Sequence, residues 1–322
     1  MKKLFSLILA LCVAFGAAGC SKTDSVDSTQ TKTKVNLGML KGPTGIGSVY
    51  LMEGDTENEY NCTLFSSPTD ITAKIISKEL DIAAVPTNLA SVLYNKTEGD
   101  VQILALNTFG TLYVVANGIE INTPEDLRGQ TVLLSGQGAT PEYALDYVLS
   151  ACGVKEDVTV EFASEHAEVV TALAEGRASV VVLPEPNVTT ALMKCPDAYV
   201  ALDIGGLWAE KSRGGELSMG CVVVNREFAE NNPQAVDAFL KEYADSIEKV
   251  NSDIQSAARL CEKYEIVPKA AVARQAIPRC AIRFEKGEQM KEIAEGCLEI
   301  LYSYNPSAVG GKMPADDFYY GI

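Results

Sequence analysis

From Lys34 onward the chain alternates short apolar runs, rich in Val, Ile and Leu, with stretches of helical periodicity. The runs that read as strands are "KVNLGML", "YNCTLF", "DIAAV", "VQILALN", "TLYVVAN", "TVLLS", "VTVEF", "SVVVL", "YVALD" and "MGCVVVN". Helical periodicity falls between them at Gly45–Glu53, Thr69–Lys78, Asn88–Tyr94, Pro141–Ser150, Glu165–Ala174 and Asn187–Met193. Near-continuous apolar strands separated by helices specify an α/β protein whose sheets are mostly parallel and covered on both faces. After Asn225 the texture changes. "PQAVDAFLKEYADSIEKV" and "GEQMKEIAEGCLEILYSY" read as amphipathic helices, and no strand is expected beyond that point.

The pattern also repeats internally. "KELDIAAVPTNLASVL" (Lys78–Leu93) and "EGRASVVVLPEPNVTTAL" (Glu175–Leu192) share one plan: a helix end, an apolar strand, Pro, a polar step with Asn, and a new helix. Proline lacks the amide hydrogen a ladder needs, so Pro86 and Pro184 can end their strands. Thr87 and Asn88, or Glu185 and Asn187, can then cap the helix that follows. "LGMLKGPTGIGSVYL" and "TVLLSGQGATPEYAL" form a second matched pair, each reading strand, Gly-rich turn, helix. The repeat implies two α/β lobes, each with a Gly-rich turn early and a Pro–polar turn later. Ligands of open α/β sheets bind beyond the carboxyl ends of the strands, so two such ends facing one another would form a cleft.

The ends of the chain set its compartment. Lys2 and Lys3, a short apolar run from Leu4, and the small residues of "FGAAGC" describe an export signal. The run is shorter than the roughly 20 residues a spanning helix needs. Because the small residues stop at Cys20, residues 1–19 resemble a bacterial lipoprotein signal with the lipobox "AAGC", after which Cys20 would carry lipid. The alternative is an ordinary signal peptide. Residues 20–33 are, after Cys20, Ser, Thr, Lys, Asp and one Gln with one aliphatic, Val26; they read as a flexible tether that cannot bury enough surface to order itself.

A mature chain of this length suggests two lobes, each able to bury a core. The formal net charge is −16, and it becomes more negative once Lys2 and Lys3 leave. Such a chain is repelled by nucleic acid. Cys62, Cys152, Cys195, Cys221, Cys261, Cys280 and Cys297 remain after export; their odd number requires a free thiol or an intermolecular bridge, and most read as small core residues. With no C-x-x-C and a single histidine, neither a Cys/His metal site nor a Cys–His catalytic pair is expected. No cofactor is expected, and no residues are assigned a catalytic role.

The glycine loops narrow the ligand chemistry. "KGPTGIG" is not a P-loop, since no Gly-Lys-Ser/Thr follows. It is either a tight turn into a helix, or a wall where the Thr44 hydroxyl and the amides of Gly45 and Ile46 face a ligand. "SGQGATPEY" resembles a dinucleotide fingerprint, but Pro141 stands at the third glycine position and the chain is exported. The preferred reading is an anion or oxygen site: the amides of Gly138, Ala139 and Thr140 with the Thr140 hydroxyl at a helix N-terminus. His166, in "FASEHAEVV", reads as the start of an exposed helix.

Taken together, the lipobox, the tether, "GPTGIG", "ELDIAAVPTNLASVL", "INTPEDLRGQTVLLSGQGATPEYALDYVL" and "ALAEGRASVVVLPEPNVTTAL" resemble a substrate-binding lipoprotein of an ABC importer. The nearest group is the nitrate/sulfonate/taurine-type family, which includes binders of thiamine-pyrimidine precursors. The resemblance implies a type 2 periplasmic-binding-protein fold: two Rossmann-like α/β lobes joined by two crossing strands, with the ligand cleft between them. Lobe 1 would be 34–112 plus 222–322 and lobe 2 113–221, with crossings in "TLYVVAN" and "MGCVVVN". Matching motifs carry ligand contacts onto Thr44, Gly45, Ile46, Thr87, Asn88, Asn107, Gln137, Gly138, Ala139, Thr140, Glu185 and Asn187. Trp208, in "GGLWAEKSRGG", would cover the cleft. The implied partners are a small-molecule ligand and an ABC permease, with the chain a monomer. Of the matched turns only the first has a cation beside it, Lys41, whereas Glu185 would bring a carboxylate that favours an amine or aminopyrimidine. Two other readings stay open: an enzyme on the same fold acting on a pyrimidine-like molecule, and a sensor that presents its closed form to a receptor.

Overall fold

The computed structural model describes residues 32–212 and 215–322. The export signal, Cys20 and nearly all of the tether therefore lie outside the described residues. Lobe 1 begins with β1 (Lys34–Leu40), α1 (Pro43–Ile46), β2 (Glu59–Phe65), α2 (Pro68–Ile76), β3 (Ile82–Pro86), α3 (Thr87–Lys96) and β4 (Val101–Phe109). Lobe 2 follows with β5 (Leu112–Ala116), β6 (Thr131–Ser135), α4 (Thr140–Ala151), β7 (Thr159–Ala163), α5 (His166–Ala174), β8 (Val180–Pro184), α6 (Asn187–Lys194), β9 (Tyr199–Asp203) and α7 (Ile204–Lys211). The chain then returns through β10 (Ser218–Asn225), α8 (Arg226–Asn231), α9 (Pro233–Ser252), α10 (Ile254–Lys263), α11 (Ala270–Ala276), β11 (Ile282–Glu285) and α12 (Gly287–Tyr304).

Two sheets result, in the orders β11-β4-β10-β3-β1-β2 and β7-β6-β8-β5-β9. β1 runs parallel to β2 and β3, and β6 runs parallel to β7 and β8. In each sheet one antiparallel strand is inserted between the third and fourth parallel ones: β10 between β3 and β4, β5 between β8 and β9. These two strands are the ones the sequence marks as crossings, but each lies wholly within one sheet. Leu112 already pairs with Pro184, and Cys221 pairs with Val85. The handovers therefore fall just before Leu112 and before Ser218, a few residues earlier than expected. Gly110 makes the first turn possible at φ +49°, and its amide donates to the Leu217 carbonyl of the second connection at 2.9 Å. A Cβ on Gly205 would stand 2.4 Å from the Gly110 Cα, so neither position has room for a side chain.

The repeated "DIAAV" and "SVVVL" runs are buried central strands, as their continuous apolar character requires. One apolar cluster serves both lobes, taking in Leu93 and Leu298 of lobe 1 with Val114, Leu145 and Trp208 of lobe 2. Two further clusters belong to one lobe each.

Three local expectations are corrected. The helix expected over Gly45–Glu53 is split into α1 and a 3-10 turn at Val49–Glu53. Gly47 sits at the break, where a Cβ would meet the Tyr243 hydroxyl at 3.0 Å and Ile247 at 3.2 Å, so the backbone packs directly on α9. A strand does follow Asn225: β11, four residues on the edge of sheet 1, too short and too polar to show a period. The "GGLWAEK" segment is helical, as α7, with Asp203 capping it through the Gly206 amide. All seven cysteines of the described region are free thiols. Among the described residues no helix is long and apolar enough to cross a membrane.

Candidate functional site

The carboxyl ends of β1, β2 and β3 in lobe 1 face those of β6, β7 and β8 in lobe 2, and two adjoining cavities lie between them. The larger, about 820 Å³, is walled by Ser66, Pro68 and Asn88 on one side and by Ser135, Thr140 and Ser164 on the other. The smaller, about 200 Å³, lies between Lys41, Gly42, Pro43 and Thr44 of lobe 1 and Glu185, Pro186 and Asn187 of lobe 2. His166, Pro184 and Met219 line both, so these three form the waist that joins them. The lining is rich in hydroxyls and in the apolar rings of prolines, a surface suited to a small organic molecule held by a few hydrogen bonds.

Of the residues expected at the ligand, Thr44, Asn88, Ala139, Thr140, Glu185 and Asn187 do line this cleft. Others are placed differently. The amides of Gly45 and Ile46 both donate to the Gly42 carbonyl at 3.0 Å and close the first helical turn, so they do not face a ligand. Gly45 is required for packing, since a Cβ there would meet the Leu40 oxygen at 2.4 Å. Thr87 is buried, with its hydroxyl 2.7 Å from that of Ser218. Asn107 is buried too; it donates to the Tyr243 hydroxyl at 2.8 Å and accepts from Thr108, which takes its place at the cavity wall. Gln137 and Gly138 are exposed at the tip of their loop and line neither cavity. The Gly138 amide is taken by the Glu142 carboxylate and that of Ala139 by the Gly136 carbonyl, which leaves little of the expected anion site. Trp208 does not cover the cleft: it is fully buried in α7, with its ring 4.5 Å from that of Tyr147.

Glu185 lines the smaller cavity, yet its carboxylate is not offered to a ligand. The side chain is fully buried and pairs with Arg279, whose guanidinium also donates to the Thr189 hydroxyl at 2.6 Å. Thr189 donates its own amide to the same carboxylate. Burial pushes the Glu185 carboxyl above the usual carboxylate range, while Arg279 and the two Thr189 bonds pull it back. Arg279 lies in the 3-10 turn between α11 and β11, and Tyr113 of β5 donates to its carbonyl at 2.9 Å. The pair therefore ties lobe 1 to lobe 2. A carboxylate already satisfied by a guanidinium and two further donors does not select an amine.

Sequence reasoning missed several cleft residues. The "SSP" turn after β2 and the "SEH" turn after β7 follow the same strand–turn–helix plan as the turns it did find, so Ser66, Ser67 and His166 were within reach of that rule. Met219 and Arg279 carry no local signal; they arrive from β10 and from the helical C-terminal region through tertiary packing alone. His166 does begin a helix, but its half-buried ring faces the cleft rather than bulk water. Its Nδ1 is hydrogen-bonded to the Ser135 hydroxyl, and burial lowers its pKa, holding the ring neutral near pH 7.

Solved structures share this architecture. A structure described as an ABC transporter from Parabacteroides distasonis is 24% identical, with 89% of this chain and 99% of that chain covered at a TM-score of 0.79. The periplasmic aliphatic sulphonate binding protein SsuA from Escherichia coli is 16% identical, with 88% and 96% covered at 0.71. The periplasmic nitrate-binding protein NrtA from Synechocystis is 16% identical, with 73% and 67% covered at 0.53. These similarities establish the two-lobed periplasmic-binding-protein fold. No curated protein matches the chain in sequence. The family model described as "NMT1/THI5 like" matches residues 66–256, more than half of the chain and all of lobe 2, and so the chain belongs to the NMT1/THI5-like family.

Proposed function

We propose that the chain is an extracytoplasmic solute-binding protein. It captures a small organic molecule between its lobes by hinge closure and delivers it to the permease of an ABC importer, held at the membrane through lipidated Cys20. The observation that carries the reading is the paired cleft: equivalent strand ends from two lobes converge on one space, and among the described residues the chain passes between the two sheets twice, after β4 and after β9. That is the geometry of a hinge that closes on its ligand. The protein acts as a monomer with no nucleic-acid partner and no cofactor. The boundaries 34–112 plus 222–322 and 113–221 describe the moving bodies to within the few residues around each handover.

The Ser135–His166 pair is the one feature that would favour an enzyme. Among the described residues no carboxylate orients the ring, so the pair lacks the third group that activates a nucleophile. Binding without turnover is the stronger reading.

A thermal-shift screen of the mature domain tests it, with a panel of sulfonates, nitrate, amino acids, pyrimidines, thiamine, flavins and nucleobases. A ligand at about 100 times its dissociation constant adds roughly 2.7 kcal/mol. At about 2 °C per kcal/mol for a domain of this size, the midpoint rises by several degrees. A rise with one class, without consumption of the compound, supports solute capture. Consumption of the compound would replace it with the enzyme reading, and a flat response to the whole panel would count against capture. Mass spectrometry of the native N-terminus tests the anchor, which an unmodified Cys20 would refute.

A further inference from the structure

The geometry points to His166 as the residue that recognises the ligand, donating a hydrogen bond from Nε2 to an acceptor oxygen or ring nitrogen placed at the waist of the cleft. The inference rests on the solute-binding reading and specifies the chemistry of that site. His166 lines both cavities, so a molecule that fills either of them meets this ring. Its Nδ1 is committed to the Ser135 hydroxyl. Among the described residues Nε2 has no protein partner and is not sealed away from solvent, so it is the open edge of the ring.

The donor role follows from where the hydroxyl proton must go. Ser135 is only 2% exposed, and among the described residues its hydroxyl has one partner, the His166 Nδ1. A buried hydroxyl places its proton on an acceptor wherever one is in reach. Ser135 therefore donates to Nδ1, and a neutral ring that accepts at Nδ1 carries its hydrogen on Nε2. The lowered pKa agrees with a neutral ring. The carboxylates beside the ring do not claim the Nε2 hydrogen: Glu185 is held by Arg279, and Glu168 accepts from the Ser164 amide. Of the other ionisable groups, Lys41 is a second donor but lines only the smaller cavity, and Glu165 lines only the larger. Ser135 thus acts as a positioning residue that sets which nitrogen bears the proton.

His166 is the only histidine in the chain, so tag-free, ¹⁵N-labelled mature domain shows a single imidazole in long-range ¹H–¹⁵N spectra. Without any ligand at pH 7.5, the Nε2–H tautomer is expected, and Ser135→Ala is expected to mix the two tautomers. A pure Nδ1–H form in the native protein overturns the donor assignment. The binding arm uses the panel compound that gives the largest thermal shift. His166→Ala is expected to weaken its affinity about tenfold, the loss of one hydrogen bond in an enclosed site, whereas His166→Gln, whose amide nitrogen stands where Nε2 does, should stay within about threefold of the native protein. Native affinity in His166→Ala overturns the inference while the solute-binding reading stands, as does an equal loss in both variants. A native domain that binds no panel compound removes the solute-binding reading and this inference with it.

Discussion

The two proline turns have one sequence plan and two different roles. Pro86 and Pro184 each close a buried central strand, and each is followed at once by polar residues and a helix. In lobe 1 the polar groups stay at home. Thr87 meets Ser218 of the same lobe, and Asn88 donates to the Ala308 carbonyl at 3.1 Å, bracing α3 against the C-terminal segment. In lobe 2 the equivalent turn reaches out of its lobe, through Glu185 to Arg279. A repeated pattern thus fixes the backbone of both turns but not what each one holds. The lobe 1 turn is part of a rigid wall, while the lobe 2 turn is tied into the relation between the lobes.

The largest effect should come from breaking that tie. Arg279→Ala leaves the buried Glu185 carboxylate without its cation, and removing one partner of such a pair costs about 3 kcal/mol or more. Urea unfolding should show the loss, and Glu185→Gln in the same background should recover most of it. A cost below about 1 kcal/mol would mean that the carboxylate finds water instead, so that the lobes part without it. Small-angle scattering of Arg279→Ala should then show a more open molecule than the native one.

Gly205→Ala addresses the relation between the lobes from the other side, through the backbone. From the start of α7 the new Cβ would overlap Gly110 of the first connection, and overpacking of this kind costs about 1–3 kcal/mol. It spares both proline turns. Should Gly205→Ala alter ligand affinity while Arg279→Ala does not, the hinge is governed by the connections and not by the clasp. Within lobe 1, Thr87→Val should be milder. It strands the buried Ser218 hydroxyl, at about 1–2 kcal/mol, and the double change Thr87→Val with Ser218→Ala should be close to neutral. Lobe separation should not change, because both residues belong to lobe 1; a change there would erase the contrast between the two turns.

The same contrast explains how much of the molecule could be read from its residues. Apolar runs and helical periods marked every described strand except β11, whose short polar run at a sheet edge leaves no such local mark. The strand–turn–helix repeat placed Thr44, Asn88, Thr140, Glu185 and Asn187 at the cleft. What each polar group bonds to was not legible. Asn107, Thr87 and Glu185 look equally available in sequence, but Tyr243, Ser218 and Arg279, from distant segments, have claimed them. Trp208 misled because a glycine-flanked aromatic reads as a mobile cover, whereas Asp203 caps that stretch into a helix and Tyr147 buries the ring.

The smallest expected effect is a pH dependence confined to the lobe 2 wall. Burial lowers the His166 pKa in the folded protein below the ordinary 6.5. The folded state then binds fewer protons at this site than the unfolded chain does, once the pH falls below about 6.5, and stability rises with pH wherever the unfolded state binds more. The contribution of the neutral ring is thus complete above that point and shrinks as the solution is acidified toward the folded pKa. Unfolding free energies of the native domain and of His166→Gln, measured from pH 8 down to 5.5, isolate it. Their difference should be flat above pH 7 and should move against the native protein below 6.5. The lobe 1 wall supplies no such titration, since no histidine lies in it. A native domain that instead gains on the variant in acid would show that the folded state prefers the imidazolium, and Ser135 would then have to accept from Nδ1 rather than donate to it.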